Sequence, residues 1–267
     1  MTETQSSQTY GIAKIPNVTP ENFRQQDPEF QKLILNLINI HVVSEDYGAD
    51  CFERSILMGP TPDFKMRMAK TVMEEYGHHI RFRRLLEELG IDWREIMKEK
   101  EHLSTFDVPI ENWADQMVFL ALVDRAAAHQ FEEFKNAPYA PFRKASEDTL
   151  REEHGHVGLG MQGTKWLLDN GHQDAVKQAV YRWFPVGLRS FGSDGSKSNE
   201  RYRYWGIKSR TNEDMRKEYF DIAIEIIVRK WGIAVPERLE DWWNGRTASV
   251  SDESGYKYGA VAMKGSN

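Results

Sequence analysis

Apolar residues recur at intervals of three and four along most of this chain, which is the spacing of an amphipathic helix. The first long run contains Phe30, Leu33, Ile34, Leu37 and Ile38, with His41 on the same face. It predicts a helix that begins near Pro28 and ends at about Leu57, because Gly59 and Pro60 follow. No region of the chain shows a strand-rich pattern.

Three further long helices are predicted from the same pattern. The second begins at Thr61-Pro62, a hydroxyl cap followed by proline at the first helical position, and ends at Gly90. A loop with a short helix covers about 91–107, the third helix runs from near Pro109 to about Lys135, and the fourth from about Pro141 to Asn170. Two closely connected pairs joined by a long crossover predict a four-helix bundle.

The rest of the chain divides into segments around this bundle. A fifth helix is predicted at about 172–187 and a sixth at about 212–231, with an irregular Gly-, Ser- and charge-rich loop over 188–210. Residues 1–27 predict an N-terminal arm, residues 28–245 a helical domain, and residues 246–267 a mobile C-terminal tail. The predicted fold is therefore all-α: a ferritin-like four-helix bundle with additional C-terminal helices.

Composition excludes several classes of protein and of site. The 267 residues carry a formal net charge of −6, which argues against a general nucleic-acid binder. Cys51 is the single cysteine, so a disulfide framework and a thiolate metal cage are excluded. No apolar run approaches the length of about 18 residues that indicates a membrane span, and the polar N-terminus has no apolar signal region. We therefore expect a cytoplasmic protein without membrane contact.

Two short motifs point to a metal site. Glu75-Tyr76-Gly77-His78 and Glu153-His154-Gly155-His156 are both Glu-x-x-His, and each lies inside a long predicted helix. Residues three apart share one face of a helix, so the carboxylate and the imidazole of each motif can bind one ion. Two such helices, with one carboxylate from each of two others, form the di-iron or di-manganese centre of ferritin-like bundles. The alternative interpretation is a set of solvated helix charges.

The sequence separation of the two motifs indicates which carboxylates of the first and third helices complete the metal site. Candidates are Glu45, Asp46, Asp50 and Glu53 on the first helix and Asp115, Asp124, Glu132 and Glu133 on the third. The motifs are 78 residues apart (153 − 75), so two related halves place the counterpart of Glu45 near position 123, where Asp124 lies. The spacings within the halves then agree, at 75 − 45 = 30 and 153 − 124 = 29. Glu132 and Glu133 give 21 and 20, about two turns out of register.

Six residues are therefore predicted to bind two metal ions: Glu45, Glu75, His78, Asp124, Glu153 and His156, with Glu75 and Glu153 as bridges. Hard oxygen ligands with imidazole favour two iron ions, with manganese as the alternative and zinc less natural. We expect His41, four residues before Glu45, to pack beside that ligand and support it. Glu74 and Glu152 project about 100° away from the ligands that follow them, so they are predicted to face solvent or to support ligands.

Several segments resemble the family of phenylacetyl-CoA epoxidase catalytic A subunits, which are ferritin-like di-iron proteins. The resemblance covers roughly residues 28–232. It rests on both Glu-x-x-His motifs and on Val43-Ser44-Glu45, Leu122-Val123-Asp124-Arg125, Ala179-Val180-Tyr181-Arg182-Trp183-Phe184-Pro185 and Gly206-Ile207-Lys208-Ser209-Arg210. The family also has a related structural subunit that lacks a complete metal set. Because all six ligand positions are kept here, the resemblance favours the catalytic type.

The resemblance implies a di-iron monooxygenase that uses O2 to epoxidise or hydroxylate an aromatic or related acyl-CoA of the phenylacetyl-CoA type. It also implies electrons from NADPH through a separate flavin/iron–sulfur reductase, and a homo- or hetero-oligomer with the related helical structural subunit. A CoA thioester requires cations for its phosphates. The candidates are Lys65 and Lys70, together with Arg67, Arg81, Arg83 and Arg84, on the second helix, and Lys208 and Arg210 in the loop before the sixth.

Other functions stay open at this point. The third helix carries His129, Gln130, Glu132 and Glu133 where the family has a more apolar stretch, and the loop over 193–205 also differs. These differences are consistent with a di-iron oxygenase that acts on another, carrier-bound substrate. A non-catalytic structural subunit is a second alternative, against which the intact ligand set argues. Ferritin-type iron storage is a third, against which the two extra helices and the long loop argue.

Overall fold

The computed structural model describes residues 17–99, 104–245, 250–251 and 257–258. The α-helices are α1 (Pro20–Phe23), α2 (Pro28–Glu53), α3 (Ser55–Met58), α4 (Pro62–Glu88), α5 (Trp93–Glu99), α6 (Trp113–Val118), α7 (Asp124–Phe131), α8 (Ala140–Asp169), α9 (Gln173–Arg189), α10 (Lys197–Tyr204) and α11 (Asn212–Ile224). Short 3-10 turns span Ser104–Asp107, Glu132–Asn136 and Leu239–Asp241, and π-helical segments span Phe119–Val123 and Glu225–Lys230. Strands β1 (Val250–Ser251) and β2 (Lys257–Tyr258) pair antiparallel.

Four long elements form the predicted bundle: α2, α4, α8 and the continuous run from α6 to α7. The helix starts follow the capping signals in the sequence. The Asp27 side chain accepts a hydrogen bond from the Glu29 backbone before α2, and the Thr61 hydroxyl accepts one from the Phe64 backbone before α4. Gly90, with φ of 71°, ends α4 in a conformation that glycine adopts without strain. The all-α, ferritin-like prediction is thus confirmed.

The third bundle helix departs from a regular α-helix. It begins at Trp113, where the Asn112 side chain accepts a hydrogen bond from the Asp115 backbone, rather than near Pro109. Its middle, Phe119–Val123, is π-helical and fully packed against neighbouring elements. A π segment inserts an extra residue into a turn, and such insertions are frequent at functional sites. Asp124 is the first residue after this segment.

Two hydrophobic clusters make up the core of the described residues. One joins the start of α4 and the end of α8 to the π segment, α9 and α11, and the other joins the start of α2 and of α8 to the end of α4. Along α4, Val72 belongs to the first cluster and Phe82 to the second; along α8, Leu159 belongs to the first and Leu150 to the second. The two Glu-x-x-His motifs therefore lie where the clusters meet.

The predicted irregular loop at 188–210 is only partly correct, because α10 lies inside it. The Ser196 side chain caps this helix by accepting a hydrogen bond from the Asn199 backbone. Glu29 at the start of α2 anchors its other end by pairing with Arg201 and accepting a 2.9 Å hydrogen bond from the Trp205 indole. These tertiary contacts hold a helix whose own sequence is too polar to show an apolar period.

The described residues include short segments before and after the bundle helices. Within the predicted arm, the part that the structure describes includes α1, and Val18 and Phe23 are buried in the core. The Val18 backbone donates to the Pro138 carbonyl at 2.9 Å, which ties this segment to the start of α8. The predicted mobile tail lies outside the described residues except for β1 and β2. Of the helices described, none has the length and apolar character needed to cross a membrane.

Candidate metal centre

The six predicted metal ligands converge at the middle of the bundle. Glu45 comes from α2, Glu75 and His78 from α4, Asp124 from the start of α7, and Glu153 and His156 from α8. All six side chains are buried, and the most accessible of these residues is only 9 % exposed. Asp124 thus lies beside the other candidate ligands, at the position predicted from the 78-residue offset between the motifs.

The ligand atoms form two groups that share one carboxylate. Glu45, Glu75, His78 and Glu153 form the first, and Glu75, Asp124 and His156 the second. In each group one ligand atom from every residue lies within 4.8 Å of the others, which is the spacing that a common ion requires. Each group combines residues from both halves of the chain, since Glu153 belongs to the first group and Glu75 to both.

Glu75 and Glu153 each direct one oxygen toward each histidine. The Glu75 oxygens lie 3.6 Å from His78 Nδ1 and 3.1 Å from His156 Nδ1. The Glu153 oxygens lie 3.7 Å and 3.8 Å from the same two nitrogens. Both carboxylates therefore lie between the two imidazoles.

Several polar atoms in this centre are buried without a hydrogen-bond partner. They are the Nδ1 atoms of His78 and His156, Oδ2 of Asp124 and Oε2 of Glu153. Leaving a buried polar atom unpaired costs about 1–3 kcal/mol, so four in one place require a compensating partner. Since nitrogen lone pairs and carboxylate oxygens are metal ligands, the residues present fit a pair of divalent cations.

The pKa values of the metal-free centre reflect its crowded charge. Burial, reinforced by the Glu75 carboxylate, raises the pKa of Glu153 to about 8, and burial with the Glu153 charge raises the pKa of Asp124 well above its usual range. Burial opposes charge on Glu45 as well, but the imidazoles of His41 and His78 beside it hold its pKa well below the usual range. Without a metal, protons must replace part of the missing positive charge.

The Nε2 atom of each of these two histidines, on the side away from the centre, contacts a carboxylate on the opposite helix. His78 Nε2 lies 2.9 Å from Glu152 Oε2, and His156 Nε2 lies 3.3 Å from Glu74 Oε2. The hydrogen bond from His156 is the main cause that lowers the pKa of Glu74 to about 2. The sequence signal for these carboxylates is their position one residue before a ligand, but it does not indicate that each crosses to the other helix.

His41 contacts the ligand that the sequence predicts it to support. Its Nδ1 lies 3.0 Å from Glu45 Oε1, and its ring stacks between Phe82 and Phe131 with centroid distances of 4.6 and 4.8 Å. Glu133, one of the carboxylates excluded by register, faces away from the metal centre. It is buried but accepts hydrogen bonds from the backbones of Ser209 and Arg210 at 2.7 and 2.8 Å.

A cavity of about 110 Å³ adjoins the centre on the α2 and α7 side. The carboxylates of Glu45, Glu75, Asp124 and Glu153 form part of its wall. Phe52, Phe106, Phe119, Val123 and Ala127 supply an apolar wall, and Ser44, Thr105, Gln130 and Ser190 supply polar atoms. The cavity can therefore accept a small apolar group beside the candidate metal ligands, and its aromatic rings disfavour water.

The four cations chiefly predicted to bind CoA phosphates do not line this cavity. Lys65 is exposed, and Lys70 pairs with Glu74. The Lys208 ammonium lies over the rings of Phe134 and Tyr202, and burial lowers its pKa to about 8. Arg210 pairs with Glu133 at 2.6 Å and also with Glu218. Their predicted role in binding phosphate stays a prediction.

Three of the four remaining candidates on α4 have partners. Arg67 Nη1 donates to Gln162 Oε1 at 2.7 Å, and Arg83 lies over the Trp93 ring at 4.9 Å from its centroid. Arg81 pairs with Glu152 at 2.9 Å, which places it directly behind the His78 ligand. Arg84 is exposed. The Arg81 contact links a predicted phosphate ligand to the metal centre instead.

The chain is similar to known proteins over most of its length. Residues 33–260 match the family described as "Phenylacetic acid catabolic protein". The chain is also 26 % identical, over 235 residues, to the A component of the 1,2-phenylacetyl-CoA epoxidase of Escherichia coli (strain K12), an alignment that covers 85 % of this chain and 75 % of that protein. The matched range of the family includes all six ligands and both extra helices, α9 and α11.

Proposed function

This chain belongs to the phenylacetic acid catabolic protein family, and we propose that it is a di-iron monooxygenase acting on an aromatic or related acyl-CoA. The observation that carries the proposal is the pair of buried ligand groups that share Glu75 and leave the inward atoms of His78 and His156 unpartnered. The name of the Escherichia coli relative adds an epoxidase activity and a substrate class. The reaction proposed is epoxidation or hydroxylation of the acyl group.

Six residues would hold the metals, each in a stated part of the centre. Glu45 and His78 would hold one ion, Asp124 and His156 would hold the other, and Glu75 and Glu153 would contribute to both. Carboxylate and imidazole ligands suit iron, with manganese as the alternative. When bound, the metal pair supplies the redox chemistry by which one atom of O2 enters the substrate and the other leaves as water.

The chain's own residues bind and orient the substrate and exclude water. Phe52, Phe106 and Phe119 present ring surfaces to the cavity, so an apolar group is favoured beside the carboxylates and bulk water is kept away. A cavity of about 110 Å³ admits a group the size of one aromatic ring, whereas the much larger CoA moiety must stay outside it. Lys65, Lys70, Lys208 and Arg210 are the cations proposed to meet its phosphates.

The reaction needs two electrons beyond those that the substrate supplies. We assign them to NADPH, delivered by a separate flavin/iron–sulfur reductase. The name of the relative describes one component of a larger enzyme, and a related helical structural subunit is the proposed partner of this chain. An oligomer of these subunits is the proposed working form.

The test is oxygen transfer to a defined acyl-CoA. The protein is loaded with ferrous iron without air, then given a chemical reductant, ¹⁸O2 and phenylacetyl-CoA or another acyl-CoA, and the products are weighed by mass spectrometry. Gain of one ¹⁸O atom supports the proposal, and loss of that gain in Glu75→Ala ties it to the centre. A protein that binds only trace metal, unchanged in Glu75→Ala and His156→Ala, contradicts the metal assignment and favours a purely structural role. Metal binding without turnover of any organic substrate, even when the related structural subunit is added, favours iron storage.

A further inference from the structure

Each histidine ligand has a second carboxylate partner on the side away from the centre. His78 on α4 donates from Nε2 to Glu152 on α8 at 2.9 Å, and His156 on α8 donates from Nε2 to Glu74 on α4 at 3.3 Å. In both rings the unpartnered Nδ1 faces the bridging carboxylates. A neutral ring whose Nε2–H donates a hydrogen bond to a carboxylate presents the Nδ1 lone pair to a metal.

Building on the proposed di-metal function, we propose that Glu152 and Glu74 are positioning residues for the metal centre. Each fixes the tautomer and the orientation of one histidine by accepting its Nε2 proton. Each also lies one residue before the bridging ligand of its own helix. One pair of contacts therefore both orients the rings and keeps α4 and α8 in register.

The carboxylates of Glu152 and Glu74 have partners that restrain them to different degrees. Arg81 donates to both oxygens of Glu152, at 2.9 and 3.2 Å, and its other terminal nitrogen donates to the buried Thr149 hydroxyl at 2.8 Å. Glu74 is paired with Lys70, whose side chain is 63 % exposed. A forked guanidinium with a buried anchor holds a carboxylate in one orientation, whereas an exposed ammonium is mobile and screened by salt. The His78 half of the centre is therefore the half that binds its ion more tightly.

Metal affinity of the full-length chain tests this proposal without any assay of activity. Binding of manganous and, without air, ferrous ions is measured by competition with a chromophoric chelator. Removing an outer partner of a metal ligand typically lowers affinity about 10–100-fold. We expect Glu152→Ala to lower the affinity of the tighter ion by such a factor, and Glu74→Ala to lower that of the weaker ion by less. Glu152→Gln recovers most of the loss, because its amide oxygen still accepts the Nε2 proton.

Matched controls come from the same two helices. Glu88 on α4 and Glu147 on α8 are exposed, and Glu88→Ala and Glu147→Ala are expected to bind two ions with unchanged affinity. Where Glu152→Ala does not fold, Arg81→Gln and Lys70→Gln address the same question, and the former is expected to lower affinity more. Nitrogen-15 NMR of the zinc-loaded protein, labelled at histidine, supplies a second readout: the wild type shows protons on Nε2 of both ligands, and the Glu152→Ala spectrum changes at His78 alone.

The outcomes separate this proposal from the proposed function. Two ions bound with wild-type affinity in both alanine variants overturn the positioning role while the di-metal function stands. A larger loss in Glu74→Ala than in Glu152→Ala, or in Lys70→Gln than in Arg81→Gln, overturns the assigned asymmetry. A wild-type protein that binds no metal overturns the proposed function itself.

Discussion

Gly160 on α8 lies directly against the Met117 carbonyl near the end of α6. A Cβ atom at Gly160 would stand 2.7 Å from that oxygen and 2.8 Å from the carbonyl carbon of Leu120, and closer still to the Ala121 nitrogen. These neighbours are backbone atoms, which cannot move aside as a side chain does. The close approach presses α8 onto the π segment, which leads directly into the Asp124 ligand.

Replacing Gly160 by alanine is therefore expected to separate α8 from the π segment. Overpacking of this kind costs typically about 1–3 kcal/mol, and the displaced backbone also moves Asp124 away from His156. We expect lower stability in urea and less than two metal ions per chain. Gly158→Ala is the control, because an added Cβ there meets nothing within 4 Å and alanine favours helix by up to about 1 kcal/mol. Equal effects of the two variants contradict the prediction.

Gly48 sets the position of Phe106 above the metal ligands. A Cβ at Gly48 would lie 3.1 Å from Phe106 Cζ and 4.0 Å from Glu75 Oε2. Gly48→Ala is expected to push the ring into the cavity, raising KM for the acyl-CoA severalfold while two metals stay bound. Pairing it with Phe106→Leu is expected to restore KM, since the smaller side chain frees the space. Steady-state kinetics with metal analysis check both, and a loss of metal in Gly48→Ala alone is the result that counts against this explanation.

Asp124 and Glu132 provide a direct comparison of the two candidate registers. Asp124→Asn is expected to lower the metal content to about one ion per chain, because the second group then keeps only Glu75 and His156 as intact members. Glu132→Gln is expected to leave two ions, since Glu132 lies on the 3-10 turn after α7 and pairs with Lys135. Metal content after gel filtration decides between them. Loss of an ion in Glu132→Gln would contradict the 78-residue offset.

The metal-free protein is expected to lose stability as pH rises from about 5 to 8. Glu153 keeps its proton in the folded state up to a pKa of about 8, whereas the unfolded chain releases it near 4.5, so folding is penalised at higher pH. The raised pKa values of Asp124, His78 and His156 act in the same direction, because the stability that their protons contribute is lost as pH rises. The lowered pKa of Glu45 acts in the opposite direction, because the stability that its ionised carboxylate contributes is lost as pH falls. That loss occurs only in strong acid.

Urea unfolding at several pH values, with a chelator and with manganese, measures this dependence. A single group of this type changes the free energy of unfolding by at most about 1.4 kcal/mol per pH unit. Bound metal replaces the protons, so the loaded protein is expected to show a much weaker decline. Glu153→Gln is expected to reduce the decline of the metal-free protein. An apoprotein as stable at pH 8 as at pH 5.5 refutes the prediction.

The bundle and its ligands follow from local signals that survive in the sequence. Helix periods, the caps at Asp27 and Thr61, and the similar spacing of the two halves are all properties of short segments or of their repetition. The sequence distinguishes Asp124 from Glu132 because the spacing between the first carboxylate and the Glu-x-x-His motif is similar in the two halves. This holds even though one half contains a π segment. That segment ends just before Asp124, so it does not disturb the spacing from Asp124 to Glu153.

Other features depend on which elements meet in space. The helix α10 is held by Glu29, which is 172 residues from Arg201 in sequence, so no local pattern shows it. The sequence places Glu74 and Glu152 beside the ligands, but only the crossing of α4 and α8 shows that each contacts the other's histidine. The pairing of Arg210 with the buried Glu133 is likewise invisible from spacing alone.

The sharing of Glu75 between both groups has a consequence for biosynthesis. A ribosome releases Glu45, Glu75 and His78 well before Asp124, which follows Glu75 by 49 residues (124 − 75), and before Glu153 and His156. The nascent first half therefore offers one histidine and two carboxylates, fewer than the finished cage. Tight iron binding would therefore require that the second half has been synthesised and has folded against the first. If the chain binds iron as proposed, we expect metal acquisition to be a late event in maturation, and a chain truncated before α8 to emerge from the cell without iron.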